Sequence, residues 1–111
     1  PDPDLFDLFD DFLSGVIAAP IFEEVVFRGF LFLGLQKKLG VGWAALISSV
    51  LFGIIHIQYD LVAIFGVTLF GLICTWLTWR TQAIKTAIVF HAITNFFISL
   101  DVFLYYQMSL R

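Results

Sequence analysis

Residues 12–35 read FLSGVIAAPIFEEVVFRGFLFLGL, a stretch long enough to cross the ~30 Å hydrocarbon of a bilayer, for which about 20 helical residues suffice. Its centre nevertheless holds Glu23, Glu24 and Arg28. A charged group at mid-membrane costs about 2.5–3.5 kcal/mol on insertion scales and is usually retained where it faces a polar cavity and works there. This stretch predicts a membrane helix that carries chemistry.

The rest of the chain repeats the pattern. Three further apolar stretches, about 41–57, 61–79 and 84–100, are separated by the polar breaks Gln36-Lys37-Lys38-Leu39-Gly40, Gln58-Tyr59-Asp60 and residues 80–85. With 111 residues, a hydrophobic fraction of 60% and a mean hydropathy of +0.97, the composition excludes an ordinary soluble domain. The expected fold is all-α: one membrane-embedded domain over residues 1–111, a polytopic bundle of about four transmembrane helices with antiparallel neighbours. The opening Pro1-Asp2-Pro3-Asp4 has no initiator Met and no basic region, which predicts a fragment or excised domain without a secretory leader. Cys74 is the single cysteine and reads as a small buried hydrophobe.

Threading four spans puts Lys37, Lys38, Arg80 and Lys85 on one side, with the acidic N-terminus and Asp60 on the other. The positive-inside rule makes the basic turns cytoplasmic in an integral, multi-pass protein, by default of a bacterial inner membrane. No basic face suggests nucleic acid; the implied partners are the bilayer and whatever the polar centre acts on. Gly15, Gly29, Gly34, Ser48, Ser49, Gly66 and Gly71 are candidates for close helix approach.

The polar residues within the spans are few: Glu23, Glu24 and Arg28 in the first, His56 in the second, and His91 with Asn95 in the fourth. Glu24 and Arg28, four apart, share a face and can neutralise one another. Glu23 projects about 100° away without that partner, and a desolvated carboxylate suits general-base work near neutral pH. Phe52 and His56 share a face, as do His91 and Asn95. Pro20, one turn before Glu23, removes a donor, bends the helix and leaves a carbonyl for water or a neighbour to satisfy. Each residue alone has a bland role: a structural ion pair, an interhelical hydrogen bond, packing by Phe52. Their joint occurrence on three short spans favours a hydrolytic site.

Glu23-Glu24-Val25-Val26-Phe27-Arg28, Phe52-Gly53-Ile54-Ile55-His56 and His91-Ala92-Ile93-Thr94-Asn95 resemble the EExxxR, FxxxH and HxxxN motifs of the CPBP family, the CAAX prenyl proteases and the bacteriocin-processing or Abi-type intramembrane proteases. The resemblance extends over nearly the whole chain. Members usually carry additional helices around this core. It implies hydrolysis of a peptide bond in a membrane-associated substrate, CAAX-type and prenylated or bacteriocin-type. Glu23 would activate water with His56 assisting, His91 and Asn95 would donate to the oxyanion, and Glu24 with Arg28 would orient the site. The family has also been described as metalloproteases, so the cofactor stays open between none and zinc, with Glu23, His56 and His91 as the ligand set.

Other chemistries fit less well. Ser14-Gly15 lies near a span end with neither histidine placed to activate it, and no GxGD follows Tyr59-Asp60. A proton-coupled transport subunit and a non-catalytic membrane scaffold are the rivals from other classes.

Overall fold

The computed structural model describes residues 4–111. The Pro1-Asp2-Pro3 opening, and the reading attached to it, lies outside them. Residues 5–39 form one continuous helical run, followed by helices Val41–Ile54, Leu61–Thr81 and Ile84–Ser109, with no strand among the described residues. These four helices form an all-α membrane bundle.

Asp4 caps the first helix: its carboxylate accepts from the backbone N–H groups of Phe6 and Asp7, both at 2.8 Å, while Asp7 returns the bond to the Asp4 N–H at 3.2 Å. Gly40, at φ +80°, ends this helix in a conformation that side chains disfavour and lets the second begin at once. Asp60 caps the third helix through the Ala63 N–H at 2.7 Å, and Gln82, at φ 55°, closes it.

The first helix changes register twice, widening to π-helix over Ser14–Ala18 and again over Val25–Phe32. In the first wide turn the Ala19 N–H reaches back five residues to the Ser14 carbonyl. The same register assigns the Gly15 carbonyl to residue 20, a proline with no N–H. The bend expected at Pro20 is therefore realised as a π-turn. The second wide turn carries Arg28.

Two boundaries differ from expectation. The second helix ends at Ile54, so His56 sits in the turn beyond it and not within a span. His56 itself explains the ending: its Nδ1 takes the Phe52 carbonyl at 2.7 Å, the acceptor its own backbone N–H would use in a helix, and that N–H bonds to Gly53 at 3.0 Å instead. The fourth helix continues past Leu100 to Ser109, which makes Asp101 an exposed helical residue.

Burial is inverted relative to a water-soluble protein. Glu24, Arg28, Ser48, Ser49, Thr75, Thr78 and His91 are buried, while Phe22, Phe30, Trp43, Ile57 and Phe97 point outward. Polar groups within and large apolar groups without are what a lipid environment selects. The third and fourth helices are each long and apolar enough to cross a membrane; the second, with 14 residues, spans about 21 Å.

Among the expected small contacts, Gly71 and Gly29 serve close approach. A Cβ on Gly71 would lie 2.9 Å from Arg28 Nη2, and one on Gly29 would touch Ile84 at 3.6 Å. Gly15, Gly34 and Gly66 face open space and are not packing contacts. Gly53 was not among the candidates, yet a Cβ there would run into the Thr68 hydroxyl, so it sets how closely the second and third helices approach.

Candidate active site

All six polar residues singled out by the motifs come together, in two connected layers. The inner layer is built on Arg28, fully buried in the second wide turn of the first helix. Its Nη1 donates to Glu24 Oε1 at 3.2 Å, Nη2 to the Gly71 carbonyl at 2.7 Å, and Nε to Thr75 Oγ1 at 3.3 Å. The Phe52 ring lies 4.5 Å below the guanidinium carbon, a cation–π contact. Buried charge is tolerable here because the ion has a counter-ion and every edge of its fork has an acceptor.

Glu24 connects this layer to the next. Its Oε1 also accepts from His91 Nδ1 at 2.8 Å, across from the first helix to the fourth. A carboxylate only accepts, so His91 Nδ1 carries the proton and Nε2 is left free to face the cleft. His56 is fixed likewise: the Phe52 carbonyl only accepts, so Nδ1 is protonated and Nε2 points inward. The FxxxH spacing thus works through the backbone of Phe52, whose ring meanwhile packs edge-on against both imidazoles, with centroids at 5.0 and 6.1 Å.

Glu23 occupies the space between the two free imidazole nitrogens. Its Oε1 lies 3.8 Å from His56 Nε2 and its Oε2 lies 3.5 Å from His91 Nε2. Its side chain keeps 21% of its exposure whereas that of Glu24 keeps none, so two consecutive carboxylates meet different environments. Glu23, both histidines and Asn95 line an open cleft of about 680 Å³, walled on its apolar side by Phe52, Val67 and Phe70. Three acceptors (the carboxylate and two Nε2 lone pairs) converging on one spot suit a water molecule, which brings two O–H donors.

Asn95 projects from the fourth helix one turn beyond His91, and its amide nitrogen donates to the Gly15 carbonyl at 2.9 Å. That is the carbonyl left over by Pro20, so the neighbour expected to satisfy it is Asn95. One of its two amide hydrogens is spent there.

Sequence reasoning overlooked the contribution of the third helix. Gly71 and Thr75 hold the Arg28 fork, with Thr75 Oγ1 also donating to the Gly71 carbonyl at 2.9 Å. The signal was present as a stripe of small and weakly polar residues at helical spacing: Gly71, Cys74, Thr75 and Thr78, all buried. Glu23, His56 and His91 are the residues that would hold a zinc ion, though among the described residues no group of three His, Cys, Asp or Glu side chains stands in a metal-binding arrangement. No step is therefore derived through one.

The fold and the site together define a class, a membrane helix bundle holding a carboxylate between two oriented imidazoles, and comparison with known proteins gives the family. The sequence model of the Rce1-like family, type II CAAX prenyl endopeptidases, matches residues 6–97. The chain is also 39% identical over 82 residues to the Bacillus subtilis protein named "Putative membrane peptidase YdiL", covering 74% of this chain and 33% of that one. This chain belongs to the Rce1-like family, within the CPBP proteases. It spans about a third of the length of the curated relative it matches. No solved structure gives a significant match.

Proposed function

We propose that this chain is the catalytic core of an intramembrane endopeptidase that hydrolyses a peptide bond of a membrane-associated protein or peptide. The observation that carries the reading is Glu23, set between His56 Nε2 and His91 Nε2 at the wall of the cleft. Glu23 accepts a proton from water as the water oxygen bonds to the scissile carbonyl carbon, His56 Nε2 accepting a hydrogen bond from the remaining O–H, and Glu23 then returns the proton to the departing amine as the C–N bond breaks. His91, with a second proton taken from solvent on Nε2, donates to the oxyanion; the Glu24 carboxylate on Nδ1 offsets the positive charge of that imidazolium. Asn95 contributes its remaining N–H from the same helix face. Arg28 holds the Glu24 carboxylate in place through the Nη1 contact at 3.2 Å.

Residues 1–111 act as one membrane domain crossing four times, with the Lys37/Lys38 and Arg80/Lys85 turns cytoplasmic. The cleft runs from the middle of the bundle to Gly15, Tyr59 and Ala63, which lie toward the end away from those turns. Substrate therefore arrives from the outer side. Between the two substrate classes that the motifs imply, this favours a bacteriocin-type or other exported peptide over a CAAX tail prenylated in the cytoplasm.

The test is cleavage of a fluorogenic peptide library by the purified protein beside Glu23→Ala, with and without a chelator. Cleavage that persists in chelator and vanishes in the variant supports direct water activation; loss in chelator would move the reading to a metal. Ion flux driven by a pH gradient, with no cleavage, would move it to transport.

A further inference from the structure

We infer that Pro20 is a positioning residue for Asn95, acting through the backbone carbonyl of Gly15. Three observations on the first helix lead there. The π-turn at Ser14–Ala18 commits the Ala19 N–H to the Ser14 carbonyl. The next carbonyl in that register, Gly15, looks toward residue 20, where proline has no N–H to give. Asn95 Nδ2, from the fourth helix, fills the deficit at 2.9 Å. A carbonyl left without a partner in a membrane bundle is costly, so the pairing is enforced from both sides: the carbonyl has no helical donor and the amide has a fixed acceptor.

The consequence falls on the cleft. Gly15, Ala19, His91 and Asn95 all line it, so anchoring one amide hydrogen on Gly15 fixes the plane of the Asn95 side chain and the direction of its second N–H. Gly15 leaves that wall open, since a Cβ there would meet nothing within 4 Å. Pro20 itself is fully buried and does not line the cleft, so its influence on a substrate passes through this hydrogen bond. The catalytic part of the inference rests on the reading that Asn95 faces the reacting carbonyl; the anchoring part does not.

Pro20→Val keeps a side chain of similar bulk and adds the missing N–H, and Pro20→Ala adds the N–H while leaving a smaller side chain. Both give Gly15 a backbone donor that competes with Asn95. The expected result is a fall in kcat of about tenfold in both, the worth of one oriented hydrogen bond, with KM unchanged. If Pro20 only packs, Val will match wild type and Ala alone will suffer, which overturns the inference. Two further readouts need no turnover. The ¹⁵N resonance of the Asn95 side-chain amide should move in Pro20→Val, and Asn95→Ala should lower the melting temperature in the Pro20 background but not in Pro20→Val. An unmoved resonance, or equal effects of Asn95→Ala in both backgrounds, would refute the anchor. A full-length parent protein that cleaves nothing would remove the protease reading while these two measurements still decide the anchor.

Discussion

Glu23 and Glu24 are adjacent in sequence and opposite in circumstance. Glu24 is sealed in the bundle, its Oε1 shared between Arg28 and His91; Glu23 faces the cleft, between two imidazoles that stand off at 3.5 and 3.8 Å. The 100° that separates consecutive residues on a helix turns one of the pair toward the third and fourth helices and the other toward the cleft. The inner carboxylate is held by the fold, and the outer one is the base of the proposed reaction. A site of this kind needs both, because the imidazole that Glu23 faces is itself aimed by Glu24.

The contrast predicts opposite consequences for opposite substitutions. The largest effect is on turnover: Glu23→Gln should lower kcat by 10² to 10⁴, the usual worth of a general base, with little change in thermal stability. Glu24→Ala should instead act on the fold, by about 3–5 kcal/mol in unfolding free energy, because it strands the buried Arg28 charge. Gly71→Ala should cost about 1–3 kcal/mol by overpacking, since its Cβ would stand 2.9 Å from Arg28 Nη2 and 3.2 Å from the Phe52 ring. The smallest effect is of the opposite sign. Ser49 Oγ is buried and has no hydrogen-bond partner, so Ser49→Ala should be neutral or stabilise by up to about 1 kcal/mol, measurable by thermal unfolding in detergent. Equal losses of stability in the two glutamate variants would erase the distinction.

Orientation gives an independent check. A membrane-impermeant thiol reagent should label Tyr59→Cys from outside intact cells and Lys38→Cys only after permeabilisation, each in a Cys74→Ala background. The reverse pattern would place the cleft on the cytoplasmic side and restore CAAX-type substrates to the front.

Much of this was legible in the residues. Apolar length announced the helices, and the i, i+4 spacing announced the Glu24–Arg28 pair and the shared face of His91 and Asn95. Pro20 announced a freed carbonyl. What could not be read were contacts made by backbone atoms. Periodicity places side chains on faces, but it does not say that the Phe52 carbonyl will capture His56 Nδ1 and end the helix three residues early, nor that Asn95 will be drawn to Gly15. The third helix gave its place in the packing through Gly71 but not its part in the site, for a related reason. Gly71 and Thr75 carry no charge, and their value lies in a carbonyl and a hydroxyl aimed at an ion from another helix.

The most direct test of the central claim is one preparation of Glu23→Gln and one of Glu24→Gln, each assayed beside wild type for cleavage of the same peptide and for melting temperature. The expected result is that Glu23→Gln melts with wild type and cleaves about 10² to 10⁴ times more slowly, while Glu24→Gln melts lower and loses activity along with its fold. A Glu23→Gln protein that cleaves at the wild-type rate would contradict it.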